Sequence, residues 1–160
     1  MRKFDNRGFT LLELAVGIAI LGIVMAALSP FLTNLLRITS SGSADSFLLQ
    51  EARWAVDTIG RDIGYATAGS ITISGNTLSF TLPNSPNVIT YSVVNSEVCR
   101  RSSAAGKQRP VTDGGKAQAT SLTFTQNADN SVSVALQMQA TDSSGQVHTR
   151  AYNSRYYTFN

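Results

Sequence analysis

The first residue that needs a chemical explanation is Glu13. Residues 9–36 hold no other charged side chain, and a carboxylate in an apolar membrane helix costs about 2.5–3.5 kcal/mol at the helix centre. A stretch selected only for anchoring has no reason to keep it. Other reactive side chains are sparse. There is one cysteine, Cys99, and one histidine, His148, so no intramolecular disulfide and no cysteine-built zinc site can form. Asp113-Gly114-Gly115 and Asp142-Ser143-Ser144-Gly145 each offer a carboxylate on an expected loop, but the acidic residues are too dispersed to cage calcium. No phosphate loop, nucleophile elbow or paired-carboxylate site is present, so the chain reads as a non-enzyme with no cofactor and no metal. One basic cluster stands out: Arg100, Arg101, Lys107, Arg109 and Lys116 against Asp113 alone. Such a loop can contact DNA phosphates, meet an acidic patch on a neighbouring protein, or stay solvated. No aromatic side chains interleave the cations, which argues against nucleic acid.

The element that carries Glu13 is exceptional within the chain. Over all 160 residues the sequence is 42% hydrophobic and only 14% charged, with a net charge of +3. That length suits one domain of ordinary size. Arg2, Lys3 and Arg7 lie in the first eight residues, so the basic balance is partly a property of the amino terminus and does not by itself imply a nucleic-acid partner. From Phe9 an apolar run of 21 residues reaches Ser29. At 1.5 Å per residue such a helix crosses a hydrocarbon core of about 30 Å. Basic residues ahead of it predict a cytoplasmic amino terminus and an exported remainder.

Three readings compete for this segment. A cleaved signal peptide has a shorter apolar region, and the best small-x-small site, Ala27-Leu28-Ser29, is followed by the obstructing Pro30. A plain single-pass anchor leaves Glu13 unexplained. The third reading accounts for the whole pattern: Gly8-Phe9-Thr10-Leu11-Leu12-Glu13 resembles the cleavage motif of class III prepilins, the type IV pilin-like proteins. The resemblance implies that a prepilin peptidase cuts after Gly8, that Phe9 becomes the N-methylated first residue, and that Glu13 is the acidic position used in assembly. Gly22 and Pro30 also fall where that family often has a glycine and a helix-bending proline. A glycine before the cut admits a protease to the backbone without a side-chain clash. A new amine four residues before Glu13 would lie on its helical face. Glu13 can therefore pair within its own helix start, or neutralise the amine of a neighbouring subunit in an apolar filament core. The motif favours the second. The implied partners are the peptidase, other pilin or pseudopilin subunits, an inner-membrane assembly platform and the lipid bilayer.

Beyond the apolar run, Pro30 predicts a bend near Ser29, and Ser40-Ser41-Gly42-Ser43 a break or a flexible helical stretch. From Asp45 the spacing of Leu48, Ala52, Ala55, Ile59 and Ile63 makes one apolar helical face, closed by Gly64. Arg61-Asp62-Ile63-Gly64-Tyr65-Ala66 looks like a segment of larger minor pilins and J-type minor pseudopilins, and shifts the resemblance toward a minor subunit. Past Ala66 the period becomes two. Strands are predicted at 70–73, 77–82, 88–94, 98–101, 121–126, 131–141 and 146–153, with a long loop over 102–119 and a last edge strand at 156–159. Leu78, Phe80, Leu82, Leu122, Phe124, Val132, Val134, Leu136 and Met138 are the expected core. Cys99 is expected half-buried in a strand, with an intermolecular disulfide as the alternative on an oxidising exported side.

The expected fold is α+β: a long helix whose first half spans the membrane and whose second half packs on one antiparallel sheet. The expected division is a cleaved leader (1–8), a transmembrane and filament-core helix (9–36), an amphipathic half (37–64) and an exported β-domain (65–160). The function so implied is a structural, minor subunit of a type IV pilus or a type II secretion pseudopilus, held first in the bacterial inner membrane and later in a periplasmic or cell-surface filament. The alternative is a filament-exposed binding module that captures DNA, a surface or a secretion substrate.

Overall fold

The computed structural model describes residues 10–159. The chain is α+β: one helix, α1 (Leu11–Gly64), precedes eight strands. They are β1 (Thr72–Ser74), β2 (Thr77–Thr81), β3 (Val88–Val94), β4 (Glu97–Ser102), β5 (Gln108–Pro110), β6 (Gln118–Gln126), β7 (Val132–Thr141) and β8 (Val147–Tyr156). Contacts divide the chain into two compact units, one up to Thr39 and one from Ser40.

In the first unit every described residue through Thr39 is exposed. Leu11, Ile23, Leu36 and Ile38 present 70% or more of their surface. The helix is long and apolar enough to cross a membrane. Its few hydroxyls bond back onto their own helix: Ser29 to the Met25 carbonyl, Thr33 to that of Ser29, and Thr39 to that of Leu35, each at 2.9 Å. Such polar groups therefore need no water. Pro30 stands inside the helix without interrupting it. It removes the amide that the Ala26 carbonyl would have accepted.

The second unit owns the core. Leu48, Ala52, Ala55, Ile59 and Ile63 on α1 have no exposed surface, as their spacing predicts. They meet Leu78, Phe80, Leu122, Phe124, Val132, Val134, Leu136 and Met138, all buried, while Leu82 is only partly so. Each fully buried large aliphatic contributes about 1.5–3 kcal/mol by leaving water. The serine stretch stays helical. Its hydroxyls are engaged, with Ser40 meeting Ser143 at 2.6 Å and Ser41 donating to Asp142 at 3.2 Å.

The strands form two antiparallel sheets, β1-β2-β3-β4-β5 and β6-β7-β8, where one was expected. The edge beside β4 is occupied by β5, so β6 cannot join there and begins a second sheet. The long loop over 102–119 is thereby corrected: it contains β5 and the start of β6. Two tight hairpins shape the first sheet. Between β1 and β2, Gly75 alone has a positive φ, 57°, the pattern of a type II′ turn with glycine first. Between β3 and β4, Asn95 and Ser96 are both positive, at 53° and 64°, as a type I′ turn requires.

The separate edge strand expected at 156–159 is also corrected. β8 runs unbroken to Tyr156, paired from Thr141↔Val147 to Val132↔Tyr156. The chain then leaves the sheet, and the Phe159 amide donates to the Gly64 carbonyl at 2.9 Å. That bond satisfies a carbonyl orphaned at the end of α1. The room for this tail comes from two glycines: a Cβ on Gly60 would stand 2.1 Å from the Tyr156 ring, and one on Gly64 2.4 Å from the Phe159 ring.

Candidate functional site

Gly8 and Phe9 lie outside the described residues, and the geometry of the amino-terminal site begins at Thr10. Glu13 closes a reciprocal capping box there. Its carboxylate accepts the Thr10 amide at 3.0 Å and the Thr10 hydroxyl at 3.1 Å, while the Glu13 amide donates to the Thr10 hydroxyl at 3.2 Å. Thr10-Leu11-Leu12-Glu13 is the T-x-x-E signature of such a box, a role at the helix start that Glu13 fills through Thr10. The carboxylate thus starts α1. It also remains exposed, at the head of an apolar helix whose described residues through Thr39 are all exposed.

The four expected basic contact residues share the β4–β5 hairpin, but they differ in their partners. Arg100 is in β4, and its Nε donates to Asp62 Oδ2 at 2.7 Å. The Tyr91 hydroxyl donates to the same oxygen at 2.8 Å. Burial, reinforced by the Asp62 charge, pushes the Tyr91 phenol well above its ordinary range. Arg100 is therefore a strut between α1 and the first sheet, in the strand expected at 98–101. Arg101, Lys107 and Arg109 remain exposed on the β4–β5 hairpin, with no ion pair among the described residues. Lys116, further along, places its ammonium over the Phe47 ring at 5.4 Å. Cys99 is buried in β4, and burial raises its thiol pKa.

A second polar knot escaped the sequence reading because its members are far apart in the chain. Asp142, with a fully buried side chain, opens the β7–β8 turn. Its Oδ1 accepts from the Ser144 amide and hydroxyl and the Gln146 amide, and its Oδ2 from Ser41. His148 Nε2 stands 3.1 Å from Oδ2, and His148 Nδ1 3.6 Å from Asp45, which Arg150 also grips at 2.9 Å. The Ser144 hydroxyl first, then His148, holds the Asp142 carboxyl far below its usual range. This knot fastens the start of the second unit's helix to the second sheet. Its acceptors are filled from within, which marks it as structural. Among the described residues no group of three His, Cys, Asp or Glu side chains is arranged to hold a metal ion.

No curated protein and no solved structure matches the chain. Residues 3–29 match the family model described as the prokaryotic N-terminal methylation motif. That match, on the segment where Thr10 and Glu13 start an exposed apolar helix, supports a precursor of the class III prepilin kind.

Proposed function

We propose that this protein is a structural subunit of a type IV pilus or a type II secretion pseudopilus, of the minor kind. Prepilin peptidase cuts between Gly8 and Phe9 and the new Phe9 amine is methylated. The amino terminus starts in the cytoplasm and α1 crosses the inner membrane, with the residues beyond it exported. An assembly platform then draws the subunit into a filament, where α1 of one subunit packs on that of another. Pro30 lets this helix bend as it moves from lipid to fibre.

The observation that carries this reading is the fully exposed apolar helix through Thr39 headed by Glu13 within a methylation motif. Burying that surface against sister helices replaces lipid contact, and a partner's amine offsets the cost of the carboxylate. Mass spectrometry of the mature chain is expected to find N-methylated Phe9 at its start. A chain that begins at Met1 in cells with active peptidase would overturn the proposal. Enrichment at the filament tip, with far fewer copies than the main subunit, supports the minor role. Abundance equal to the main subunit would overturn that part. The unpaired Arg101, Lys107 and Arg109 favour one second reading, a filament-exposed module that captures an acidic target, DNA included.

A further inference from the structure

The β4–β5 hairpin is electrostatically two-ended. At one end Arg101, Lys107 and Arg109 are exposed and, among the described residues, unpaired. Cross-strand pairing even sets Arg109 opposite Arg100, a like-charge arrangement that costs stability. Only Arg100 is neutralised, by Asp62. At the other end stand Glu97, where β4 begins, and Asp113, just past β5. Four residue steps of about 3.3 Å separate Glu97 from Arg101, roughly 13 Å.

The acidic end borders a hollow of about 610 Å³ whose wall includes Glu51 and Trp54 of α1 together with Glu97 and Asp113. Glu51 accepts the Asp113 amide at 3.0 Å, so both residues belong to the wall of this hollow. Neither they nor Glu97 make an ion pair among the described residues. Trp54 is 61% exposed, an unusual position for the largest side chain on a helix that buries its apolar face in a core. An indole beside carboxylates is a good seat for an arginine, which can pair with the acids and stack on the ring. Tryptophan and arginine are also the residue types that dominate interface energetics.

We propose that the Trp54 hollow receives the basic hairpin end, Arg101, Lys107 and Arg109, of a second copy of this chain. This inference rests on the filament reading above. Charge complementarity selects the occupant: the chain carries both the acidic seat and the unpaired cations that fit it. The two surfaces differ, so the contact is head-to-tail, with each copy offering its hairpin end to one neighbour and its hollow to another. Two successive copies suffice for one such contact, so a subunit present in few copies can still make it.

Disulfide trapping in membranes of cells that produce the full-length chain tests this. Gln50→Cys lies on the hollow and Ala105→Cys at the hairpin tip, so every charge is kept. Within one chain the two positions are separated by more than the roughly 7 Å that a disulfide allows, and buried Cys99 stays in place. The expected result is a disulfide between chains. Glu97→Arg with Asp113→Arg, or Arg101→Glu with Arg109→Glu, is expected to lower its yield about tenfold. The chain carrying all four reversals is expected to regain it, a rescue that a merely misfolded variant would not show. Trp54→Ala is expected to lower the yield as well. An unchanged yield after either reversal, or no recovery in the fourfold variant, overturns the docking. A separate Ile18→Cys chain reports on α1 packing. Trapping there without trapping at the hairpin rejects the docking and leaves the filament reading standing, whereas loss of both rejects both.

Discussion

At the scale of single residues, the capping role of Glu13 is separable from the assembly role proposed for it. The capping box needs only an acceptor at the third helical position, which glutamine also supplies. Neutralising a partner's amine needs the charge. Glu13→Gln is therefore expected to leave α1 and membrane insertion intact while incorporation into filaments falls as far as with Glu13→Ala. Sedimentation of sheared filaments, probed for the subunit, makes the comparison, and normal incorporation of Glu13→Gln would refute the charge-pairing role. Asp142 offers a second residue-level test, this time of stability. Its folded pKa lies below the ordinary 3.8, so its hydrogen bonds stabilise the fold fully above that value. Their contribution is lost as pH falls through the lower, folded pKa. Unfolding of the detergent-solubilised chain, followed by Trp54 fluorescence, is expected to become easier as the pH drops below about 4. Asp142→Asn is expected to be less stable at neutral pH and to lose less on acidification. An equal loss in both chains would assign the acid sensitivity to Asp45 and Asp129, whose pKa values are also lowered.

Among the elements, α1 and the carboxyl-terminal strand are fitted by omission of side chains. Gly60 and Gly64 are one turn apart, and the Tyr156 and Phe159 rings occupy the space a Cβ would take. Gly60→Ala is expected to expel Tyr156 and cost about 1–3 kcal/mol, typical of overpacking. Combining it with Tyr156→Ala is expected to cost less than the sum of the two, a coupling that a double-mutant cycle reads directly. Additive costs would mean the ring does not depend on the notch. The strut has a similar test. Asp62→Ala leaves Arg100 and the Tyr91 hydroxyl without their acceptor, and this partly buried pair is expected to lose about 2–3 kcal/mol, between exposed and buried values. These elements also show what the sequence could reveal. The helical face from Leu48 to Ile63 and the alternation from Val132 to Met138 are local periodicities, and both came through in the structure. The assignment of β5 failed because Gln108-Arg109-Pro110 has no apolar alternation and is held in place by its partner β4. The split into two sheets failed for the same reason, since which strand takes an edge depends on partners far away in the chain. Of the candidate site, Glu13 was legible because a charge in an apolar run is a local anomaly. The struts Asp62–Arg100 and Asp45–Arg150 were not, because nothing in the chain near Asp62 or Asp45 points to residues 38 and 105 positions later.

At the scale of the whole molecule, the two units differ in what they need from outside. The first presents an apolar helix with no buried surface of its own among its described residues. It is long and apolar enough to cross a membrane, consistent with the methylation motif over residues 3–29, and in the proposed function sister helices replace the lipid. The second unit draws its buried cluster wholly from residues at Leu48 and beyond, and its struts and polar knot lie from Ser40 onward. A chain begun at Ser40 therefore keeps every buried side chain, both sheets and the tail that caps α1. What it loses is the nucleated helix that feeds Ser40, and isolated helix starts are weak. Ser40 and Ser41 compensate by bonding Ser143 and Asp142, which pins the new helix start to the second sheet. Such a chain is expected to be soluble and to unfold in one cooperative urea transition, with Trp54 fluorescence and far-ultraviolet circular dichroism changing together. Ser41→Ala is expected to lower the midpoint more in this shortened chain than in the full one, since only there does the helix depend on that bond for its start. Aggregation, or two separated transitions, would mean that the apolar helix contributes to the fold of the second unit as well as to its anchoring.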